Sequence, residues 1–286
     1  MNSVVYYSCL FGTREGLNPD LFVNVEGADK VLFTDRRDLR IPGVEVRFEE
    51  AHGIDPGRAS RRAKLMPHRY FPDHEISIYA DNRVSPKPGL VQRTLSDAAD
   101  PEVLFWALQH PWRDCTHAEA HACVKTGAAP RDEVLRQLDH YTSLGLPRQN
   151  GLIAATFLLR RHHAGVLPEF GDRWFEHVLR FSRRDQIAWG YLAWAMQLEA
   201  GRLEGDLTDN ELFTWIKRAP FDEASIAPAL DRQRKEPSRL QKLLQPFARR
   251  SAKSDRGGLG RGQLAPGGLK EPESLREVGR STHFPG

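Results

Sequence analysis

The sequence predicts an α/β fold, a mainly parallel sheet flanked by helices with a helical C-terminal part, and three observations carry that prediction. Short apolar, β-rich runs, at 3–11, 30–34, 44–48, 76–80 and 103–108, alternate with stretches of helical period. The first two runs and the one at 76–80 stop at Gly12, Asp35 and Asp81, as strands do where they leave a core for a ligand-facing loop. A hydrophobic content of 40% over 286 residues suffices for a sizeable core.

Taken in order, SVVYYSCLF at 3–11 reads as a buried strand ending at Gly12. Lys30 to Thr34 is a short second strand, and Val44 to Phe48 a third after Pro42-Gly43. Asp55 to Tyr70 reads as one helix. Its apolar stripe is Ala59, Ala63, Leu65 and Met66, and its cationic face, Arg58, Arg61, Arg62, Lys64 and Arg69, is expected to be solvated. Ile76, Ile78 and Ala80 alternate with Ser77 and Tyr79, a strand that delivers Asp81 and Asn82 to a loop. Val103 to Leu108 forms a further strand, and helical pattern resumes near Asp114 or Thr116. Asp132 to Tyr141 is an amphipathic helix and Gly145 to Asn150 a turn. Leu152 to Arg161 fits strand or helix, because its period does not decide. Asp172 to Phe181 and Arg184 to Leu198 are aromatic-rich helices, and further helices broken by Pro220, Pro228 and Pro237 are expected from Thr208 to about Ala248.

Charge separates the tail from the rest. Residues 249–286 hold eight Lys or Arg against four acids, so the tail carries +4 of a formal net charge of +3 and the remainder is −1. The basicity is a tail property, and no nucleic-acid-binding face is expected on the folded part. Eight of the 23 glycines also lie there, which predicts disorder. The beginning, MNSVVYYSCLFG, lacks the basic start and apolar stretch of a signal peptide, and no segment reaches the roughly 20 apolar residues of a membrane span. A cytoplasmic location is therefore expected. Cys9, Cys115 and Cys123 show no C-x-x-C spacing and read as packing residues.

Several short patterns follow one another in fixed order: C-L-F-G at 9–12, L-F-T-D at 32–35, R-x-x-K-L-M-P-H at 61–68, S-I-Y-A-D-N at 77–82, H-P-W-R-D-C at 110–115 with Glu119, and S-R-R-D-Q at 182–186. Together they resemble the domain of unknown function 616 family, over roughly residues 3–200. That family is treated as glycosyltransferase-like and related to the GT-A nucleotide-sugar transferases, including the glycogenin-like enzymes. The resemblance implies a Rossmann-like GT-A domain over 1–200, with 201–248 a helical accessory region and 249–286 the tail. It implies a nucleotide-sugar donor across the strand ends and a glycan, lipid-linked or protein acceptor, as in surface polysaccharide assembly.

Carried over position by position, Phe11, Gly12, Thr34 and Asp35 would meet the nucleotide, and Lys64, Arg83 and Arg113 the phosphates. Trp112, Glu119 and Arg184 would meet sugar or acceptor. Asp185 would orient sugar hydroxyls and Gln186 sit beside the reacting carbon, with Asp81 by the diphosphate. In GT-A enzymes the strand-end acid belongs to a D-x-D motif that holds Mn²⁺ or Mg²⁺, whose oxygen-ligated charge stabilises the departing diphosphate. Here Asp81 and His110 are the metal candidates, but Asn82 and Arg83 follow Asp81, so the second carboxylate is replaced by a cation.

Two other readings rest on the residues themselves. His117 and His121 are four apart and, with His110 and Asp114, offer a zinc-type ligand set for a metal-assisted hydrolase, although the H-E-x-x-H pattern is absent. The missing carboxylate also leaves room for a non-catalytic scaffold that binds glycan or a partner. Each singled-out residue has a structural alternative: Asp81 as a turn cap, Lys64 as a surface charge, His110 as a hydrogen-bonded imidazole, Asp185 as a helix-dipole partner. Trp106, Trp112, Trp174, Trp189 and Trp194 are expected as core or packing residues, with Trp112, beside Arg113, the one candidate for stacking.

Overall fold

The computed structural model describes residues 3–216, which fall within one compact unit, Met1–Lys235. The helices expected beyond 216 and the tail from 249 lie outside the described residues. In chain order the elements are β1 (Val4–Leu10), β2 (Asp29–Thr34), β3 (Glu45–Phe48), α1 (Pro56–Leu65), α2 (Pro67–Tyr70), β4 (Ile76–Ala80), β5 (Val84–Pro86), α3 (Leu90–Asp97), β6 (Phe105–Gln109), α4 (Thr116–Thr126), α5 (Arg131–Ser143), β7 (Ile153–Arg160), α6 (Leu167–Arg180), α7 (Asp185–Ala195), β8 (Ala200–Asp206) and β9 (Phe213–Trp215).

One sheet runs β3-β2-β1-β4-β7-β6-β8, and β5 pairs with β9 in a separate ribbon. Among the described strands of this sheet, only β7 opposes the common direction, being antiparallel to both β4 and β6. The predicted α/β class with a mainly parallel sheet is what the structure shows. Its topology sets the site, because β1, β2, β4 and β6 all end along one edge, where β7 begins at Ile153.

The alternation of β1 feeds both faces. Val4, Tyr6 and Leu10 join a cluster with Leu90 and Val91 of α3 and Phe213 of β9. Val5, Tyr7 and Cys9 join the other, with Ala63 and Leu65 of α1, Phe170 and Trp174 of α6, and Trp189 and Leu192 of α7. Tyr7 meets Phe71 and Tyr79 edge-on, with ring centroids 4.9 and 5.3 Å apart. Burying each such ring contributes about 1.5–3 kcal/mol relative to exposure, so these two clusters hold the layers together.

The helix expected over 55–70 is two: Asp55 caps α1 by accepting from the Arg58 N–H at 3.1 Å, and Pro67, which has no N–H, ends it at Met66 and starts α2. The ambiguous segment 152–161 is strand β7. The region expected to be helical from 201 is strand in its described part, with β8 closing the sheet edge and β9 pairing with β5. The cationic face of α1 is not solvated. Arg58 pairs with Asp55 and Glu133, Arg62 with Glu49, and Arg61 and Lys64 with Asp185. Of the tryptophans expected inside, Trp106, Trp174 and Trp189 are buried, whereas Trp112 and Trp194 are exposed. Cys9, Cys115 and Cys123 are free and buried.

Candidate active site

The ends of β1 and β2 are joined by polar contacts rather than by packing. Both Asp35 carboxylate oxygens accept from the Gly12 N–H, at 3.0 and 2.9 Å. The Arg36 guanidinium donates to the Gly12 carbonyl at 2.6 Å and the Glu15 carbonyl at 2.7 Å. Gly12 has φ +71°, a left-handed conformation that favours glycine. Phe11, Gly12, Thr34 and Asp35 are thus brought together, but Thr34 is wholly buried and its hydroxyl accepts from the Arg36 N–H, so it shapes the loop and cannot meet a nucleotide.

At the end of β4, Asp81 accepts from the Tyr79 hydroxyl at 2.6 Å and lies 3.6 Å from Lys64 Nζ, with 34% of its side chain exposed. Burial, followed by the Asp81 charge, holds the Tyr79 phenol far above its ordinary range, so it is a fixed donor. Asn82 turns the other way: its amide donates to the Gly16 carbonyl at 2.7 Å and its oxygen accepts from the Asn18 N–H at 3.0 Å. Arg83 pairs with Glu15 at 2.6 Å. The two residues after Asp81 therefore staple the 12–18 loop across the strand ends.

Lys64 Nζ sits 2.7 Å from Asp185 Oδ2, and the two side chains are 2% and 4% exposed. Arg61 Nε is 3.1 Å from the same oxygen. Burial by itself would raise the Asp185 carboxyl, but Lys64 and then Arg61 outweigh it and hold the group well below the usual carboxylate range. Enclosed in this way, Lys64 does not reach a phosphate and Asp185 does not reach a sugar. Gln186 is likewise engaged, its amide donating to the Ile153 carbonyl at 2.9 Å, which ties α7 to the start of β7 rather than facing a reacting carbon.

Beyond β6, His110 Nδ1 accepts from the Trp112 and Arg113 N–H groups at 3.2 and 3.1 Å. That assigns the ring proton to Nε2, and burial, then Arg113, lowers the imidazole to about 4, so it is neutral. Glu119, in the first turn of α4, is 1% exposed and lies 2.5 Å from Arg113 Nε and 3.2 Å from Arg184. It anchors the two arginines and does not itself meet a ligand. Consecutive residues at the start of α7 thus serve two charge clusters, Arg184 through Glu119 and Asp185 through Lys64. Trp112 is 59% exposed, with its ring centroid 6.4 Å from that of Trp215.

Among the open groups at this edge are Asp35, Asp81, Arg113, Arg184 and Trp112. Sequence reasoning singled out those five but passed over Arg36, Arg61, Tyr79 and Trp215. Arg61 was visible inside the R-x-x-K pattern, whereas Trp215 sits in a strand that the surrounding sequence does not signal.

The residues present do not fit the strand-end cation. Asp81 and His110 end strands separated by β7, about 10 Å of sheet, and His110 offers no lone pair toward Asp81 because Nδ1 is turned onto its own loop and Nε2 carries the proton. Among the described residues no three His, Cys, Asp or Glu side chains converge to hold a metal. The zinc set proposed for 110–121 is therefore not assembled: His117 is buried and His121 exposed. No helix among the described residues is long and apolar enough to cross a membrane.

Residues 46–215 match the family described as TOD1/MUCI70, glycosyltransferase-like domain. The comparison with curated proteins gives no match. Among solved structures the chain is similar to the apo structure of the bifunctional glycosyltransferase WbbM, at 13% identity and TM-score 0.43, covering 71% of this chain and 39% of that one. It is also similar to mouse xyloside xylosyltransferase 1, at 9% identity and TM-score 0.38, covering 70% and 84% of the two chains. A third is core-mannan synthase A from Aspergillus fumigatus in its Mn/GDP form, at 9% identity and TM-score 0.37, covering 68% and 70%.

Proposed function

The chain belongs to the TOD1/MUCI70 glycosyltransferase-like family, and on that premise we propose that its strand-end cleft binds a nucleoside-diphosphate sugar in the GT-A manner and transfers the sugar to a hydroxyl of a glycan, lipid-linked or protein acceptor. A cytoplasmic site of action in surface polysaccharide assembly is part of the same proposal. The observation that carries it is the position of Asp81: a partly open carboxylate at the end of β4, between the Gly12–Asp35 loop and the Arg113–Arg184 cluster, oriented by Tyr79 and Lys64.

In this reading Phe11, Gly12 and Asp35 take the nucleoside, Arg113 and Arg184 face the diphosphate, and Trp112 takes acceptor sugar. The bond from sugar C1 to the phosphate oxygen breaks with its electron pair staying on the diphosphate. The acceptor oxygen bonds C1, and its proton passes to Asp81. Lys64, Asp185, Gln186 and Glu119 hold these groups in place.

The test is sugar release or transfer from a panel of UDP- and GDP-sugars. The wild type turns over at least one, and Asp81→Asn lowers the rate on the order of 10²–10⁴-fold while still binding UDP or GDP. Binding without turnover by the wild type would point to a non-catalytic scaffold, and no binding of any nucleotide would defeat the proposal.

A further inference from the structure

We propose that the donor diphosphate is held, and its departing charge neutralised, by Arg113 and Arg184, without a divalent cation; the inference rests on the transferase reading above. A cation at strand ends needs several oxygen ligands, and its site must tolerate a double positive charge. Asp81 supplies one carboxylate, and that carboxylate is already 3.6 Å from the Lys64 ammonium and accepts from Tyr79. The place of a second carboxylate belongs to Arg83, which pairs with Glu15. A dication on Asp81 would thus stand within a few ångströms of Lys64, whose like charge opposes it in a partly buried setting.

The arginine side has the opposite character. Glu119 is the carboxylate that bridges the two guanidinium groups, and Asp185, the other acid near Arg184, is itself paired with both Lys64 and Arg61, so the surroundings stay cationic. Both arginine side chains are open, Arg113 by 25% and Arg184 by 30%, while Glu119 is sealed beneath them. Arg113 commits Nε to Glu119, and Arg184 Nε is buried with no hydrogen-bond partner.

His110, 5% exposed, positions Arg113 rather than meeting the ligand. With Nδ1 accepting two backbone N–H groups, its Nε2–H faces an Arg113 guanidinium nitrogen at 2.9 Å. Glu119 Oε2, 3.9 Å from His110 Nε2 and paired with Arg113 Nε, is the acceptor beside both groups, so Arg113 is fixed in place before any ligand arrives. When the C1–oxygen bond breaks, the diphosphate gains one negative charge. Arg113 and Arg184, held in place by Glu119, would receive it through charge-assisted hydrogen bonds from their remaining guanidinium hydrogens.

The experiment is titration calorimetry of the full chain with UDP and with GDP, in EDTA and then in Mn²⁺ or Mg²⁺. The expected result is an affinity in EDTA within about twofold of that with metal, weakened at least tenfold by Arg113→Lys or Arg184→Lys. Both variants keep the charge that satisfies Glu119 and lose the fork, and unchanged thermal midpoints show that they fold. Tenfold or greater tightening by Mn²⁺ or Mg²⁺, or full affinity in the lysine variants, overturns the inference and leaves the transferase reading standing. Binding in neither condition overturns both.

Discussion

Lys64 and Asp185 form an ion pair at 2.7 Å from which water is almost wholly excluded, joining α1 to the first residue of α7 under the strand ends. Breaking a buried pair strands a charge, while removing both partners does not. Asp185→Asn is expected to destabilise the protein by about 3 kcal/mol. Lys64→Met combined with Asp185→Asn is expected to cost less than the two single changes added together. Urea unfolding of the four proteins gives the coupling. An additive result would mean that Arg61 and Asp81, the other neighbours, carry the charges without help from this pair.

Acid should act on the fold in two separate windows. His110, His162 and His177 are each lowered to about 4, chiefly by burial. The unfolded chain protonates these rings near pH 6.5, so between about 6.5 and 4 it binds protons that the native state refuses. Stability is therefore full above that window and falls as pH drops through it, on the order of 1–2 kcal/mol per histidine after allowance for solvent screening. Asp185 is depressed instead, so its contribution survives this window and is lost only as pH falls below the ordinary carboxylate range. Denaturation midpoints at pH 7, 5.5 and 4.5 check the sign. His177→Gln should flatten the slope.

Close packing of α7 on α4 depends on a glycine. The Gly190 carbonyl accepts from Asn150 Nδ2 at 2.9 Å, Asn150 Oδ1 accepts from the Thr116 N–H at 3.1 Å, and a Cβ at 190 would overlap the Thr116 hydroxyl. Gly190→Ala would raise helix propensity in isolation, yet here it should destabilise by about 1–3 kcal/mol through overpacking. Adding Thr116→Ser, which removes a methyl but keeps the hydroxyl, should rescue little. Thr116→Gly should rescue more, and thermal midpoints of the three proteins separate the cases.

Much of this architecture was legible, and the parts that were not have identifiable causes. Asp35 and Asp81 were readable as strand-end acids because β2 and β4 are short apolar runs that stop abruptly. β7 was ambiguous because it is buried on both faces over nearly its whole length, which erases the alternation that marks a half-exposed strand. β8 was missed since it is an edge strand, with Gly201, Arg202, Glu204 and Gly205 in place of an apolar run. The inward turn of the α1 cations was beyond local pattern altogether. Their partners Asp185 and Glu133 lie 121 and 75 positions away from Lys64 and Arg58 respectively. Only the sheet topology brings them together.

β9 pairs with β5 so that Trp215 stands opposite Val84, three residues after Asp81, and from there its ring meets Trp112, which follows His110 on the other side of the edge. Two tilted indoles, one on the loop that follows β6 and one on β9, offer an apolar face at the same edge as Asp81, on which an acceptor sugar could stack if Asp81 takes its proton. Stacking on an aromatic face is worth about 0.5–1.5 kcal/mol. Trp112→Ala should therefore raise the acceptor KM roughly 2- to 10-fold and leave the donor KM and the thermal midpoint unchanged, with Trp112→Phe largely restoring it. A rise in donor KM instead would move the platform to the nucleotide side of the cleft, and a fall in thermal midpoint alone would make Trp112 a packing residue despite its exposure.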